Sequence, residues 1–395
     1  MSKSWNSGTT YELMMYKFIM WPLGIWPPNR GEIFSEIRLI LAATTQAATC
    51  ICLHLEMWHN CRGAEDFLDI FVLSVFSLLA CIKGLIVRYH LNEVDTNVTS
   101  AIQDWFNLSS NENPQNNKIM MRHAKIGRIV CISLMAPASG GTLSWIVFAL
   151  PFAMFAPENN TEPIKNFPLQ TPCTFDFATT SNFYYVIFVI QVYQLITTCL
   201  GNCGNDVFFF GLAMHVCGQF EILKSEFNSV ENKRVGIENG EYFKNIIKRH
   251  VHLINLVEKL ETTFNMIILT QLIMSAILIC IMGLQVIIAL NMGDVFSGIK
   301  ANIVLSSLMS QLFLYSYGGD YLTSQSHAIA DAAYESLWYK YSIRTMRDIG
   351  FVIFRAEKSV YVTAGKFFYM TLGTFMDILK LSVSYMSVLR VAMDV

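Results

Sequence analysis

The chain has 395 residues, 53% of them hydrophobic and only 15% charged, with 28 Lys and Arg set against 30 Asp and Glu. A soluble domain carries about 25% charge, so this composition excludes a disordered chain, a nucleic-acid binder and an ordinary cytosolic enzyme. With a mean hydropathy of +0.40 and no excess charge to offer a polyanion, an all-α polytopic membrane protein remains.

Residues 1–10 are polar, and the apolar run Leu13–Trp21 is too short to cross a bilayer. Flanked by Trp21-Pro22, Trp26-Pro27-Pro28 and Arg30, it reads as a helix lying in the interface. Seven apolar segments follow, at 37–57, 67–89, 128–155, 182–214, 263–291, 297–317 and 366–391. Loops on the side of the N-terminus hold 18 Lys and Arg and those opposite hold two, Arg62 and Lys165. The positive-inside rule then predicts a cytoplasmic N-terminus and an extracellular C-terminus, the reverse of a G-protein-coupled receptor.

Asn159 stands in a glycosylation signal within the long outer loop, whereas the signals at Asn97 and Asn107 fall on the inner side and should be unused. Most of the ten cysteines read as small buried hydrophobes. Cys61 and Cys173 alone fall in outer loops and form a candidate disulfide. His250-Val251-His252 reads as a solvated helix face, and no metal or cofactor site is expected.

The inner loops read as folded. Residues 241–266 repeat apolar side chains at helical spacing and extend the fifth span, and 326–349 form a second helix ending at Gly350. Such helices either pack within one subunit or join subunits. The last span is the most polar. Asp377 and Lys380 are three residues apart and can pair, and a charge at mid-bilayer costs about 2.5–3.5 kcal/mol or more. The helix therefore either buries that pair against protein or lines a water-filled path. Val388 and Val391, one turn apart near its outer end, are suited to closing a path by dewetting.

Three stretches carry a family resemblance: Trp21-Pro22-Leu23-Gly24-Ile25-Trp26-Pro27-Pro28, Tyr317-Gly318-Gly319-Asp320, and Ser384-Tyr385-Met386-Ser387-Val388-Leu389-Arg390. In this order, with an inner N-terminus and seven spans, the chain resembles an insect odorant receptor over nearly its whole length, hymenopteran members above all. The resemblance implies a ligand-gated, non-selective cation channel in the plasma membrane of sensory dendrites. It implies a heterotetramer with the odorant receptor coreceptor, with the last span of each subunit around the pore. Aligned on Ser384-Tyr385, the family's gate falls on Val388, and Val391 takes the place of the coreceptor's pore-mouth Gln. Residues 215–262 lack the coreceptor's long insertion, which marks the odorant-tuning subunit. Gustatory receptors, the nearest alternative, carry Gln-Phe where this chain has Val391-Ala392. No inverted repeat or nucleophile–base pair supports a transporter or membrane enzyme.

The implied organisation is an interfacial segment at 1–36, spans one to six at 37–317 with an odorant pocket in the outer half, anchor helices at 318–365, and a pore helix with a short tail at 366–395. A pocket for a small volatile, hydrophobic molecule should be apolar and aromatic with a few polar groups. On the third span Ala138, Gly141 and Trp145 share one face and resemble a pocket-lining face of the family. Phe71, Val75 and Phe76 on span two, and Tyr184, Phe188 and Gln191 on span four, complete the candidate set.

Overall fold

The computed structural model describes residues 5–27, 32–59, 64–110, 113–150, 167–169, 171, 183–229 and 240–392. Asn159, Cys61 and Cys173 lie outside the described residues. The helices are α1 (Ser7–Met20), α2 (Ile33–His59), α3 (Ala64–Tyr89), α4 (Leu91–Ser110), α5 (Pro114–Ala149), α6 (Tyr184–Ser229), α7 (Gly240–Met292), α8 (Val295–Glu335), α9 (Ile343–Glu357) and α10 (Leu372–Ala392). A two-stranded antiparallel hairpin, β1 (Thr363–Ala364) and β2 (Phe368–Tyr369), precedes α10. The chain divides into two compact units, one of residues 17–89 and 132–205, the other of 1–16, 90–131 and 206–395.

In the first of these units α2 and α3 form a hairpin that packs on the early part of α6. Gln46 of α2 ties the three together. Its Nε2 donates to Thr197 Oγ1 at 2.7 Å, and its Oε1 accepts from Ser77 Oγ at 2.8 Å. Buried amides persist only when satisfied in this way. Lys83 is fully buried and donates to the Asn202 side chain at 2.8 Å. Gly201 lets α6 approach α3 closely, since a Cβ there would stand 3.0 Å from Ala80 Cβ.

In the other unit α7 and α8 form a long hairpin turned by Gly293 (φ 74°), with Asp294 accepting from Ser297 N at 3.2 Å to start α8. Their shared core is aromatic: Phe209 of α6 sits 5.2 Å from Phe264 and 5.1 Å from Tyr315 between ring centroids. On α8 the rings of Phe313, Tyr317 and Tyr321 stack in succession, one turn apart. Next to this core, α10 lies against both α7 and α8.

Four sequence-based expectations change. Residues 90–127, read as an inner loop, contain α4, whose buried face repeats Leu91, Val94, Val98, Ala101, Ile102 and Trp105 at helical spacing. The helix expected over 326–349 breaks after Glu335, and Ser342 caps a new one by accepting from Thr345 N at 3.4 Å, so that Gly350 lies inside α9. The segment expected over 366–391 becomes helical only at Leu372. Gly365 (φ 58°) and Lys366 (φ 66°) first reverse the chain, and Thr371 Oγ1 then accepts from Thr374 N at 3.2 Å. Finally, His250 is buried rather than solvated, and His252 Nε2 is 3.0 Å from Ser100 Oγ where α4 packs on α7.

Among the described residues, α2, α3, α5, α6 and α7 are long and apolar enough to cross a membrane. The sixth and seventh segments fall on α8 and α10, which carry Lys300 and a run of serines, and Asp377, Lys380 and Arg390, respectively. That polarity requires protein or water beside them, as expected of the last span.

Candidate functional site

The nine pocket candidates all belong to one unit, on α3, α5 and α6. Val75 is buried and Phe71 and Phe76 are half-buried on α3. Ala138, Gly141 and Trp145 are half-buried along one stripe of α5. A Cβ on Gly141 would meet nothing within 4 Å, which leaves open space beside that turn.

The α6 candidates face residues 167–169 and 171. Tyr184 packs on Phe167 at 5.2 Å and on Phe188 at 5.9 Å between ring centroids. Gln191 Oε1 accepts from Leu169 N at 3.2 Å and its Nε2 donates to Thr171 Oγ1 at 3.0 Å. Both ends of this buried carboxamide are therefore committed to holding Leu169 and Thr171, a role that spacing along α6 did not indicate.

The pore candidates occupy α10. Asp377, Lys380, Ser384, Val388 and Val391 recur at steps of three and four residues, and all five are exposed. Val388 and Val391 are 63% and 77% exposed, and Lys380 Nζ lies 3.5 Å from Asp377 Oδ1. The other face of α10 is occupied. Ile378 and Ser382 are buried, Cys280 Sγ donates to the Ser382 carbonyl at 3.3 Å, and Met386 sits against Gly283. Packing on α7 thus covers one narrow face and leaves the stripe exposed, together with Met376, Leu381, Val383 and Tyr385 beside it.

A third feature was missed from sequence. Glu12 of α1, Asp104 of α4, His215 of α6 and Arg249 of α7 form a chain of alternating charge. His215 Nδ1 is 3.0 Å from Glu12 Oε2, and its Nε2 is 3.1 Å from Asp104 Oδ2. Arg249 Nη2 donates to Asp104 Oδ1 at 2.7 Å and to Gln219 Oε1, and Trp105 Nε1 donates to Glu12. Glu12, Asp104 and His215 are almost fully buried. Burial pushes the Asp104 carboxyl upward, but its hydrogen bond from His215 and the Arg249 charge outweigh this and hold it below the ordinary 3.8. The sequence signal was present: Asp104 stands three residues after Ala101 on the apolar stripe of α4, where a lone acid needs a partner.

Five described helices long and apolar enough to cross a bilayer, followed by the two more polar helices α8 and α10, define a polytopic α-helical membrane protein. The profile of the family described as 7tm Odorant receptor matches residues 64–383, and the chain belongs to that family. Odorant receptor 13a of Drosophila melanogaster is 29% identical over 246 residues, 57% of each chain. Odorant receptor 85b of the same organism is 24% identical over 207 residues, 52% of each. The chain thus spans a little over half the length of these curated relatives. The solved structure of the insect olfactory receptor OR5 from Machilis hrabei shares the fold, with a TM-score of 0.74 at 16% identity over 95% of this chain and 97% of that one. The same receptor in complex with eugenol gives 0.73 over 97% and 99%.

Proposed function

We propose that this chain is the odorant-recognising subunit of a ligand-gated, non-selective cation channel, opening together with the odorant receptor coreceptor in a heterotetramer. The observation that carries the reading is the stripe Asp377–Lys380–Ser384–Val388–Val391. Packing against α7 leaves it exposed on one subunit, so a partner or water must cover it in the membrane. Residues 366–395 then supply one wall of the pore and Val388 its closure. The N-terminus is cytoplasmic and the C-terminus extracellular in the plasma membrane, with 1–36 at the inner interface, 37–317 carrying the pocket and 318–365 anchoring subunits. Asn159 is the glycosylated position and Cys61–Cys173 the bridge of the outer loops.

The ligand is a small volatile, hydrophobic molecule held by dispersion against Phe71, Val75, Phe76, Ala138, Trp145, Tyr184 and Phe188, with Gly141 admitting it to the helix backbone. The complex of OR5 with eugenol, itself a small volatile aromatic, supports this class of ligand. Gating follows only if the ligand favours the open arrangement differentially.

The test is co-expression with the coreceptor in oocytes, an odorant panel and current recording with G-protein signalling blocked. Trp145→Ala should reorder the ligands, and Val388→Ala should alter closure or conduction. Equal loss of surface expression in both variants, with no change in ranking or gating, would remove the pocket and gate assignments.

A further inference from the structure

The ring ladder of α8 does not end on α8. At one end Phe313 meets Phe375, in the first turn of α10, edge to face at 5.6 Å between ring centroids. At the other end Tyr321 lies along the imidazole of His123 on α5, with ring centroids 6.0 Å apart and 26° between planes. The Tyr321 hydroxyl is 3.1 Å from His123 Nε2. Through Phe313, Tyr317 and Tyr321, α8 therefore ties the N-terminal part of α5 to the base of α10.

The imidazole stands between two neighbours that want opposite things of it. Its side chain is fully buried, and a Cβ at Gly218 would stand 3.3 Å from its Cγ, so α6 passes it closely. Nδ1 lies 3.0 Å from the Ile119 carbonyl, which has no proton to give, so Nδ1 carries one and donates it. In the neutral ring Nε2 is then a bare acceptor, and the Tyr321 hydroxyl donates to it. Glu221 Oε2 of α6 stands 3.5 Å from the same Nε2 and also accepts from Arg122. Two acceptors make no bond, so Glu221 engages His123 only once the ring gains a second proton. Nε2 then donates, the carboxylate is the stronger acceptor within reach, and the Tyr321 hydroxyl loses its acceptor. The other ionisable groups around the pair are Arg122 on α5, Cys217 on α6, Tyr317 on α8 and Glu12 on α1. Burial holds the imidazole below its ordinary 6.5, against the pull of the Ile119 bond, Glu221 and Glu12. Burial likewise pushes the Tyr321 hydroxyl up to about 12, so it keeps the proton it donates.

We propose that His123 and Tyr321 are positioning residues for channel opening: a proton taken up at Nε2 moves it from the Tyr321 hydroxyl to the Glu221 carboxylate, and so loosens α5 from α8 and the base of α10. On the topology proposed above the cluster lies on the cytosolic side, and half-buried Glu221 gives the proton its route from water. The role in opening rests on the channel reading; the exchange of partners does not.

Two measurements keep these apart. Hydrogen exchange at the imidazole C2, read by mass spectrometry on the purified full chain across pH, titrates His123 individually, with the other seven of the eight histidines as internal references. Tyr321→Phe keeps the ring and removes the hydrogen bond that favours the neutral form, so the His123 midpoint should rise by about half a pH unit. Glu221→Gln removes the carboxylate that favours the charged form, so the midpoint should fall. A role confined to packing would move neither. No shift, or two shifts of the same sign, overturns the exchange. The second measurement is the odorant current of the chain with the coreceptor in inside-out patches, with the cytosolic face taken from neutrality to below the measured midpoint. Acid should shift the half-activating odorant concentration about threefold. Tyr321→Phe at neutral pH should reproduce that shift, in size and direction, and respond no further to acid. An acid response that survives Tyr321→Phe, or a neutral-pH response of that variant identical to the parent's, overturns the positioning role. Absence of odorant current from the parent at every pH overturns the channel reading and the role in opening with it, while the C2 titration still decides the exchange of partners.

Discussion

A Cβ at Gly319 would stand 2.6 Å from the carbonyl oxygen of Met370, and 3.0 Å from its Cβ. At this point α8 touches the chain entering α10 backbone to backbone. The contact continues through the hairpin, where Gly365 N donates to the Asn265 carbonyl at 2.9 Å and Thr363 Oγ1 donates to Glu261 Oε1 at 2.6 Å. The base of the last helix is therefore wedged between α7 and α8 and cannot shift without them. Gly319→Ala must push backbone, not a flexible side chain, and should destabilise by about 1–3 kcal/mol. Gly350→Ala is the control: a Cβ there meets nothing within 4 Å inside α9, and relief of the glycine's entropy cost should stabilise by about 0.5–1 kcal/mol. Thermal unfolding of the two purified variants, compared with the parent, separates close approach from a general effect of alanine.

The Glu12–His215–Asp104–Arg249 cluster predicts acid sensitivity. Burial opposes the Asp104 charge, but the His215 hydrogen bond and Arg249 lower its folded pKa beneath the ordinary 3.8. A depressed carboxyl contributes stability that is complete above its unfolded value and is lost as pH falls through the folded one. The Asp104 contribution to thermal stability should therefore hold from neutrality down to about 3.8 and decline below it. Asp104→Asn should flatten that decline and cost about 3–5 kcal/mol at neutral pH, since it strands buried positive charge. A variant as stable as the parent at both ends of the titration would show that the cluster is held by its packing alone.

The spans were legible because long apolar runs have few physical alternatives, and the shared face of Asp377, Lys380, Ser384, Val388 and Val391 because steps of three and four survive in any straight helix. What stayed hidden depended on distant partners. Glu12 meets His215 across 203 residues and Asp104 meets Arg249 across 145, separations at which no local pattern pairs one acid with one base. The start of α10 was obscured because a lysine, not a glycine, takes a positive φ at position 366. Helix α4 was hidden because its many polar residues masked an apolar face that shows only when α7 covers it. Gln191 was selected for its polarity beside aromatic residues, and the structure gives that polarity a definite task in holding Leu169 and Thr171.

That task yields a prediction of its own. Gln191→Leu is close in size but leaves Leu169 N–H and Thr171 Oγ1 without the partners they now have. Losing the two bonds should cost about 1–3 kcal/mol, the larger figure if Leu169 N–H stays buried. Gln191→Glu keeps an acceptor for Leu169 N but loses the amide donor and buries an ionisable carboxyl, so it should be no more stable than the Leu variant. Limited proteolysis of the segment around Leu169 would order the three forms. Equal cleavage rates would show that Phe167 and Tyr184, in contact at 5.2 Å, hold the segment without help.

The exposed pair on α10 separates conduction from folding. Asp377 and Lys380 lie 3.5 Å apart with side chains 76% and 72% exposed, and solvent-exposed pairs of this kind contribute little to stability. Neutralising either one should leave the thermal unfolding of the isolated subunit unchanged. In a cation path the two substitutions act in opposite directions: Asp377→Asn removes an attractive charge and should lower single-channel conductance, and Lys380→Gln removes a repulsive one and should raise it. The double variant should return towards the parent, because the pair's net charge is then restored to zero. Recording the three variants with the coreceptor checks sign as well as size. A fall in conductance for both single variants would place the pair against protein and take the polar stripe out of the ion path.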